Sequence, residues 1–262
     1  MRALPDFMVI GTQRGGTSSL YKYLGRHPGV VPTLRKETEY FTRAYGEGER
    51  WYRGHFPLEM RRSVSRVVAR RSLQTFEATP DYLVHPLAAQ RAAALLPDAR
   101  IVAMLRNPID RAFSHYKHMV RLEFEKRSFE QAVAREPEDI TPLLQLMASD
   151  PRYDATHFLR YSYLTRGHYA EQLRRWLDHY PEMLIVQSEE FYADTPRAFG
   201  QILEHLDLEP WQPTEFTNYS YVSAPPSDSG LPEHVRAELA DYFRPYNDEL
   251  YQLIDRDFGW DK

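Results

Sequence analysis

The residues with the clearest chemistry are Gly11-Thr12-Gln13-Arg14-Gly15-Gly16-Thr17-Ser18. They follow an apolar run, Phe7-Met8-Val9-Ile10, and open a helical pattern over Thr17–Gly25 that carries Leu20, Tyr23 and Leu24 on one side. A glycine-rich turn between a strand and a helix N-terminus gathers backbone N–H groups into a seat for an anion. The spacing matches the phosphate loop Gly-x-x-x-x-Gly-Lys-Ser/Thr, but Thr17 stands where that lysine belongs. A loop without the lysine is a poor clamp for a γ-phosphate. Its positive charge comes earlier, from Arg14. The plain alternative is a turn that merely caps a helix.

A second run, Met104-Leu105-Arg106-Asn107-Pro108-Ile109-Asp110-Arg111-Ala112-Phe113-Ser114-His115-Tyr116, places Arg106 at the end of an apolar strand and Ser114 on the next helix. Ligands of open α/β sheets gather at the carboxyl ends of strands. There a guanidinium and a hydroxyl can share one phosphate. Arg111 is open to a solvated or ion-paired role. Two anion seats, each after a strand, point to a nucleotide with phosphates at both ends.

Four apolar runs read as buried strands: Phe7–Ile10, Leu73–Phe76, Ile101–Leu105 and Leu184–Val186. Such near-continuous runs suit a parallel sheet covered on both faces. Helical patterns lie between them, over 86–96, 108–121, 168–180 and 195–206, with a last one over 232–257. Tyr169, Leu173, Trp176, Leu177 and Tyr180 form one apolar stripe. The alternation predicts an α/β, three-layer P-loop-like fold with a central parallel sheet flanked by helices. The expectation is one domain over 1–262, with insertions at 38–66 and 122–165 forming the acceptor cleft. Within the second, a helix is expected at 128–135 with turns near Pro137 and Pro151, and 209–231 reads as a long surface loop.

Composition narrows the class. The chain has 262 residues, 42% of them hydrophobic, and a net charge of −4, so global disorder is excluded and nothing global attracts nucleic acid. No apolar run approaches the roughly 20 residues a membrane span needs. There are no cysteines, which excludes thiolate chemistry and suits a reducing compartment. The first strand begins by residue 7, so no signal peptide is expected and the location is expected to be cytoplasmic. The basic residues are nearly all arginine, a skew that suits oxyanion binding but is mostly compositional.

The ordered motifs resemble the sulfotransferases that use 3′-phosphoadenosine 5′-phosphosulfate, in their heparan-sulfate-type branch. Gly11–Ser18 is similar to the loop for the 5′-phosphosulfate. Lys36-Glu37-Thr38-Glu39-Tyr40-Phe41 is similar to the segment with the catalytic acidic residue, which falls on Glu37. Trp51-Tyr52 with Phe56-Pro57 matches the helix and turn after it, and Glu77-Ala78-Thr79-Pro80-Asp81-Tyr82 resembles Glu-Lys-Thr-Pro-x-Tyr. Arg106, Asn107, Pro108, Arg111 and Ser114 match the 3′-phosphate motif, Arg166-Gly167-His168-Tyr169 the Gly-x-Tyr helix, and Phe258-Gly259-Trp260 the C-terminal end. Three departures stand out. Arg14 replaces a common lysine, Ala78 replaces another, and Tyr219–Leu231 carries no Cys, Lys or Arg where the animal enzymes have a disulfide and a basic stretch.

The resemblance implies an enzyme that passes a sulfuryl group to a hydroxyl or amine by in-line attack. It implies Glu37 as general base, with Glu39 as the rival. It assigns Arg14 and the N–H groups of Gly15, Gly16, Thr17 and Ser18 to the phosphosulfate, Lys36 to the leaving group, and Arg106 and Ser114 to the 3′-phosphate. No metal is expected, and His115 and His118 read as packing residues. The aromatics of the insertions lean toward a small, partly apolar acceptor, whether a natural product, a glycolipid or a saccharide. The rival readings are a P-loop kinase or nucleoside triphosphatase and a catalytically silent nucleotide-binding protein.

Overall fold

β1 (Phe7–Gly11) is buried along its whole length, as a near-continuous apolar strand must be. The computed structural model describes residues 2–60, 73–150, 153–219 and 230–261. Within them, β2 (Val30–Pro32), β3 (Gln74–Ala78), β4 (Arg100–Leu105) and β5 (Leu184–Gln187) join β1 in one sheet of order β2-β3-β1-β4-β5. All pairings are parallel. Val9 sits opposite Ala78 of β3 and Val102 of β4.

Strand alternation sorts the core into two layers. Met8, Ile10, Ile101, Ala103 and Leu105 face one side, against Tyr82, Leu173, Trp176, Leu250 and Trp260. Phe7, Val9, Phe76, Val102 and Met104 face the other, against Leu20, Tyr23, Phe191, Phe199 and Ile202. The result is the expected helix–sheet–helix sandwich. The chain leaves β1 toward β2 and β3 but leaves β4 toward β5. That reversal opens a crevice between the carboxyl ends of β1 and β4, where ligands of such sheets bind.

Several expectations shift. β2 is a fifth strand, too short at three residues to stand out as a run. The second apolar run becomes Gln74–Ala78, one residue later at its start and two at its end. Pro137 lies inside the helix Phe129–Asp139 instead of ending it. There the proline costs the helix one i→i−4 hydrogen bond, to the Val133 carbonyl, while a capping box of Ser128 and Gln131 secures the start. Pro151 and residues 61–66 lie outside the described residues. Residues 209–219 form no helix or strand, but Trp211, Phe216 and Tyr219 pack on the core beside Tyr23.

The insertions are more structural than their aromatic content suggested. Tyr40, Phe41, Tyr52 and Phe56 are buried in the main core, and Phe158 and Tyr163 in satellite clusters. These rings fill the interior, so they give no support to an apolar acceptor.

Candidate functional site

The loop after β1 turns through Arg14 at φ 68° and Gly16 at φ 98°. The second value suits glycine, which has no Cβ to clash. A Cβ on Gly16 would also lie 2.9 Å from the Tyr192 hydroxyl. No side chain caps the helix Thr17–Leu24. Its leading N–H groups therefore keep their capacity for an external acceptor. The Ser19 N–H turns back to the Gly16 carbonyl at 3.0 Å, and the Gly15 N–H is used within the loop, donating to the Thr12 carbonyl at 2.9 Å. That leaves Gly16, Thr17 and Ser18 as the backbone donors best placed for an anion. Gly15 fits the expected role less well. By contrast, the helix Pro108–Arg121 is capped internally, because Asn107 Oδ1 accepts from the N–H groups of Ile109 and Asp110. Its contribution to the crevice comes from side chains alone.

Those side chains meet the loop directly. Arg14 Nε donates to Ser114 Oγ at 3.0 Å, and Arg106 Nη1 donates to the Arg14 carbonyl at 3.1 Å. The Tyr169 hydroxyl holds the Arg106 carbonyl at 2.7 Å, which explains why the Gly-x-Tyr helix belongs with the site. Ser114, His118 and Arg121 recur at spacings of four and three, so they share one helix face. Arg121 Nη2 contacts His118 Nδ1 at 2.9 Å. Burial pushes the Arg14 pKa down, and the neighbouring Arg106 and Arg121 charges push it further. Asp81 pairs with Arg166 and Asp110 with Arg236, while Glu189 accepts from the Asn107 N–H and Trp260 Nε1. Among the described residues no carboxylate pairs with Arg14, Arg106 or Arg121. Like charges converging without a counter-charge are the physical mark of an anion site.

Lys36 and Glu37 arrive from the loop after β2. Lys36 Nζ donates to Ser18 Oγ at 3.0 Å and to Glu37 Oε1 at 2.7 Å. The pair thus touches the first turn of the helix Thr17–Leu24. The Glu37 side chain is 39% exposed, open to a reactant. Glu39 adopts φ 57° and is tied to Arg43. It has its own cation, and no contact draws it toward the loop.

One feature was not anticipated. Glu77 on β3 is fully buried, with no cation among its hydrogen-bond partners. Its carboxylate accepts from four hydroxyls: Thr38 at 2.5 Å, Thr79 at 2.9 Å, Tyr82 at 3.1 Å, and Tyr52. Burial pushes its pKa up, and the four hydroxyl bonds pull against that. A glutamate inside the run Gln74-Thr75-Phe76-Glu77-Ala78 was the available signal. Ala78 is wholly buried, so its side chain reaches no ligand.

Other candidates resolve as structure. Arg111 is fully buried rather than solvated, and its Nη2 donates to the Tyr163 carbonyl. His115 is fully buried against Tyr163. His168 stacks on Tyr246 at 3.8 Å and bonds the Tyr242 hydroxyl. Trp176 is core, and Trp51 is half-buried against that core. Among the described residues, no group of three or more His, Asp or Glu side chains is arranged to hold a metal ion. No helix among them is long and apolar enough to cross a membrane.

Comparison with known proteins adds a consistent picture. The sulfotransferase family model matches residues 5–213. Heparan sulfate glucosamine 3-O-sulfotransferase 3B1 of Mus musculus is 27% identical, over 99% of this chain and 66% of that protein. Bifunctional heparan sulfate N-deacetylase/N-sulfotransferase 2 of Homo sapiens is 28% identical, over 97% of this chain and 30% of that protein. The chain thus spans less than two thirds of the length of these curated relatives. The crystal structure of a sulfotransferase from Alicyclobacillus acidocaldarius superposes with a TM-score of 0.70 at 29% identity, covering 99% of this chain and 100% of that one.

Proposed function

The chain belongs to the sulfotransferase family and is a sulfotransferase, and from that premise we propose that 3′-phosphoadenosine 5′-phosphosulfate is its donor and a carbohydrate hydroxyl or amine its acceptor. The observation that carries the donor is the uncompensated pair of cations Arg14 and Arg106, with Ser114 on Arg14, beside an uncapped helix N-terminus. These groups fit a ligand with anionic oxygens at two places. The donor, when bound, supplies an activated sulfuryl group on a phosphate leaving group.

In this reading the protein's own groups divide the work. Arg14 and the N–H groups of Gly16, Thr17 and Ser18 bind the phosphosulfate. Arg14 acts by charge and hydrogen bonding, since an arginine does not give up its proton near neutral pH. Arg106 and Ser114 bind the 3′-phosphate. Lys36, already on Ser18, stabilises the charge that develops on the bridging oxygen. Glu37 takes the proton from the attacking hydroxyl or amine. The acceptor is read as a carbohydrate because the named actions of the relatives fall on a saccharide, while most of the insertion aromatics are buried.

The test is incubation of the protein with the donor and a panel of desulfated heparan oligosaccharides, simple sugars and aliphatic alcohols, read by mass spectrometry. Sulfated sugar product is expected. Sulfation of the alcohols alone would overturn the carbohydrate reading. Magnesium-dependent ATP hydrolysis in place of any sulfuryl transfer would overturn the donor.

A further inference from the structure

We propose that Glu77 is a positioning residue that aims Glu37 into the crevice through Thr38, a role that rests on Glu37 being the general base. The geometry starts from two anchors on either side of Glu37. The Lys36 carbonyl accepts from the Ala78 N–H at 3.2 Å, and the Thr38 hydroxyl donates to Glu77 Oε2 at 2.5 Å. Both anchors lie on β3, in adjacent residues. Thr38 is 1% exposed, while the Glu37 side chain is 39% exposed. Pulling Thr38 inward onto Glu77 turns Glu37 outward, toward Lys36 and Ser18.

The proton directions in the cage call for a carboxylate. The Tyr40 N–H donates to Thr38 Oγ1 at 3.3 Å, and the Phe41 N–H donates to the Tyr82 hydroxyl at 3.4 Å. Each hydroxyl thus accepts from the backbone and is free to send its own proton to Glu77. The chain N–H to hydroxyl to carboxylate is cooperative, because each bond polarises the next. It fixes the backbone from Thr38 to Phe41 immediately after the base. An amide at position 77 would replace one carboxylate oxygen by an NH2 group, which accepts nothing, so hydroxyls that donate to that oxygen would lose their acceptor. Tyr52, from the helix Gly48–Arg53, closes the cage and ties a third stretch of chain to the same carboxylate.

Thr38 and Thr79 allow a discriminating experiment, since each gives one hydroxyl to the same Glu77 oxygen. Only Thr38 adjoins Glu37. The whole chain is assayed with 3′-phosphoadenosine 5′-phosphosulfate and desulfated heparan oligosaccharides, and melted in parallel. Thr38→Val and Thr79→Val should lose comparable Tm. Thr38→Val should lower kcat by about 100-fold with donor KM little changed, the scale of a displaced catalytic group. Thr79→Val should lower kcat by less than about 5-fold, and Thr38→Ser, which keeps the hydroxyl, should restore activity. Amide hydrogen exchange gives an acceptor-free reading: Tyr40 and Phe41 should exchange faster in Thr38→Val and not in Thr79→Val. Equal kcat losses in the two valine variants, or unchanged exchange at Tyr40 and Phe41, overturns the positioning role. Full activity in Glu37→Gln is a separate result that removes the base itself.

Discussion

Two charge clusters flank the same end of the sheet, and they are built in opposite ways. Around the loop after β1, Arg14 and Arg106 meet, and among the described residues no carboxylate pairs with either. Behind it on β3, Glu77 is fully buried with four hydroxyls and no cation. The difference lies in what satisfies each charge. The anionic cluster is closed, with every lone-pair direction answered by the protein. The cationic cluster is open, and its repulsion persists until a ligand brings negative oxygen. In the proposed reading one cluster serves the fold and the other a ligand, with Lys36 and Glu37 strung between them.

That contrast can be broken at several points. The largest effect is expected where the clusters meet. Glu37→Gln should lower kcat by about 10²–10⁴-fold, the usual range for a lost general base, with binding of 3′-phosphoadenosine 5′-phosphate unchanged by calorimetry. A variant as active as the parent would move the base elsewhere. Arg14→Ala should weaken the same nucleotide by roughly 10–100-fold, as expected for a lost charge-assisted hydrogen bond. Its Tm should stay level or rise, because a repulsive charge has gone. A large Tm loss with intact affinity would make Arg14 a fold residue.

Glu77→Gln should show the reverse pattern. Its Tm should fall by roughly 5–10 °C as bonds to a buried charge are lost, while nucleotide affinity changes by less than about 3-fold. Loss of binding at full stability would merge the two clusters into one site. The smallest effect is expected from pH. Burial and the Arg91 charge hold the His85 pKa down at about 4, and burial with the Arg111 charge does the same for His168. The unfolded chain takes up these protons first, from its ordinary value of 6.5. Stability should therefore fall as pH drops from about 6.5 toward 4, by several degrees in melting experiments. A flat profile across that window would show that these imidazoles are not held neutral.

Much of the fold was legible because its strands are continuous apolar runs. β1 and β4 stood out for that reason, and Asn107-Pro108 marked the helix after β4. β2 was not legible, since three residues carry no period. The cation half of the candidate site rests on local signals, glycine spacing and strand-end arginines, and the structure brings Arg14, Ser114 and Arg106 together. Its anionic counterpart could not be read locally. Thr38, Tyr52, Thr79 and Tyr82 lie up to 44 positions apart, and only the folded sheet brings them to Glu77. The insertion aromatics misled for a similar reason: composition does not say which way a ring points, and most point inward.

The central claim is that the open cluster is a seat for a nucleotide phosphorylated at both ends. Calorimetric titration of the parent and Arg106→Ala with 3′-phosphoadenosine 5′-phosphate and with adenosine 5′-monophosphate tests it most directly. The account predicts that the 3′-phosphate adds at least about tenfold to affinity in the parent, and that this gain vanishes in Arg106→Ala while the monophosphate is little affected. Equal affinities for the two nucleotides in the parent, or equal losses for both in the variant, would contradict it.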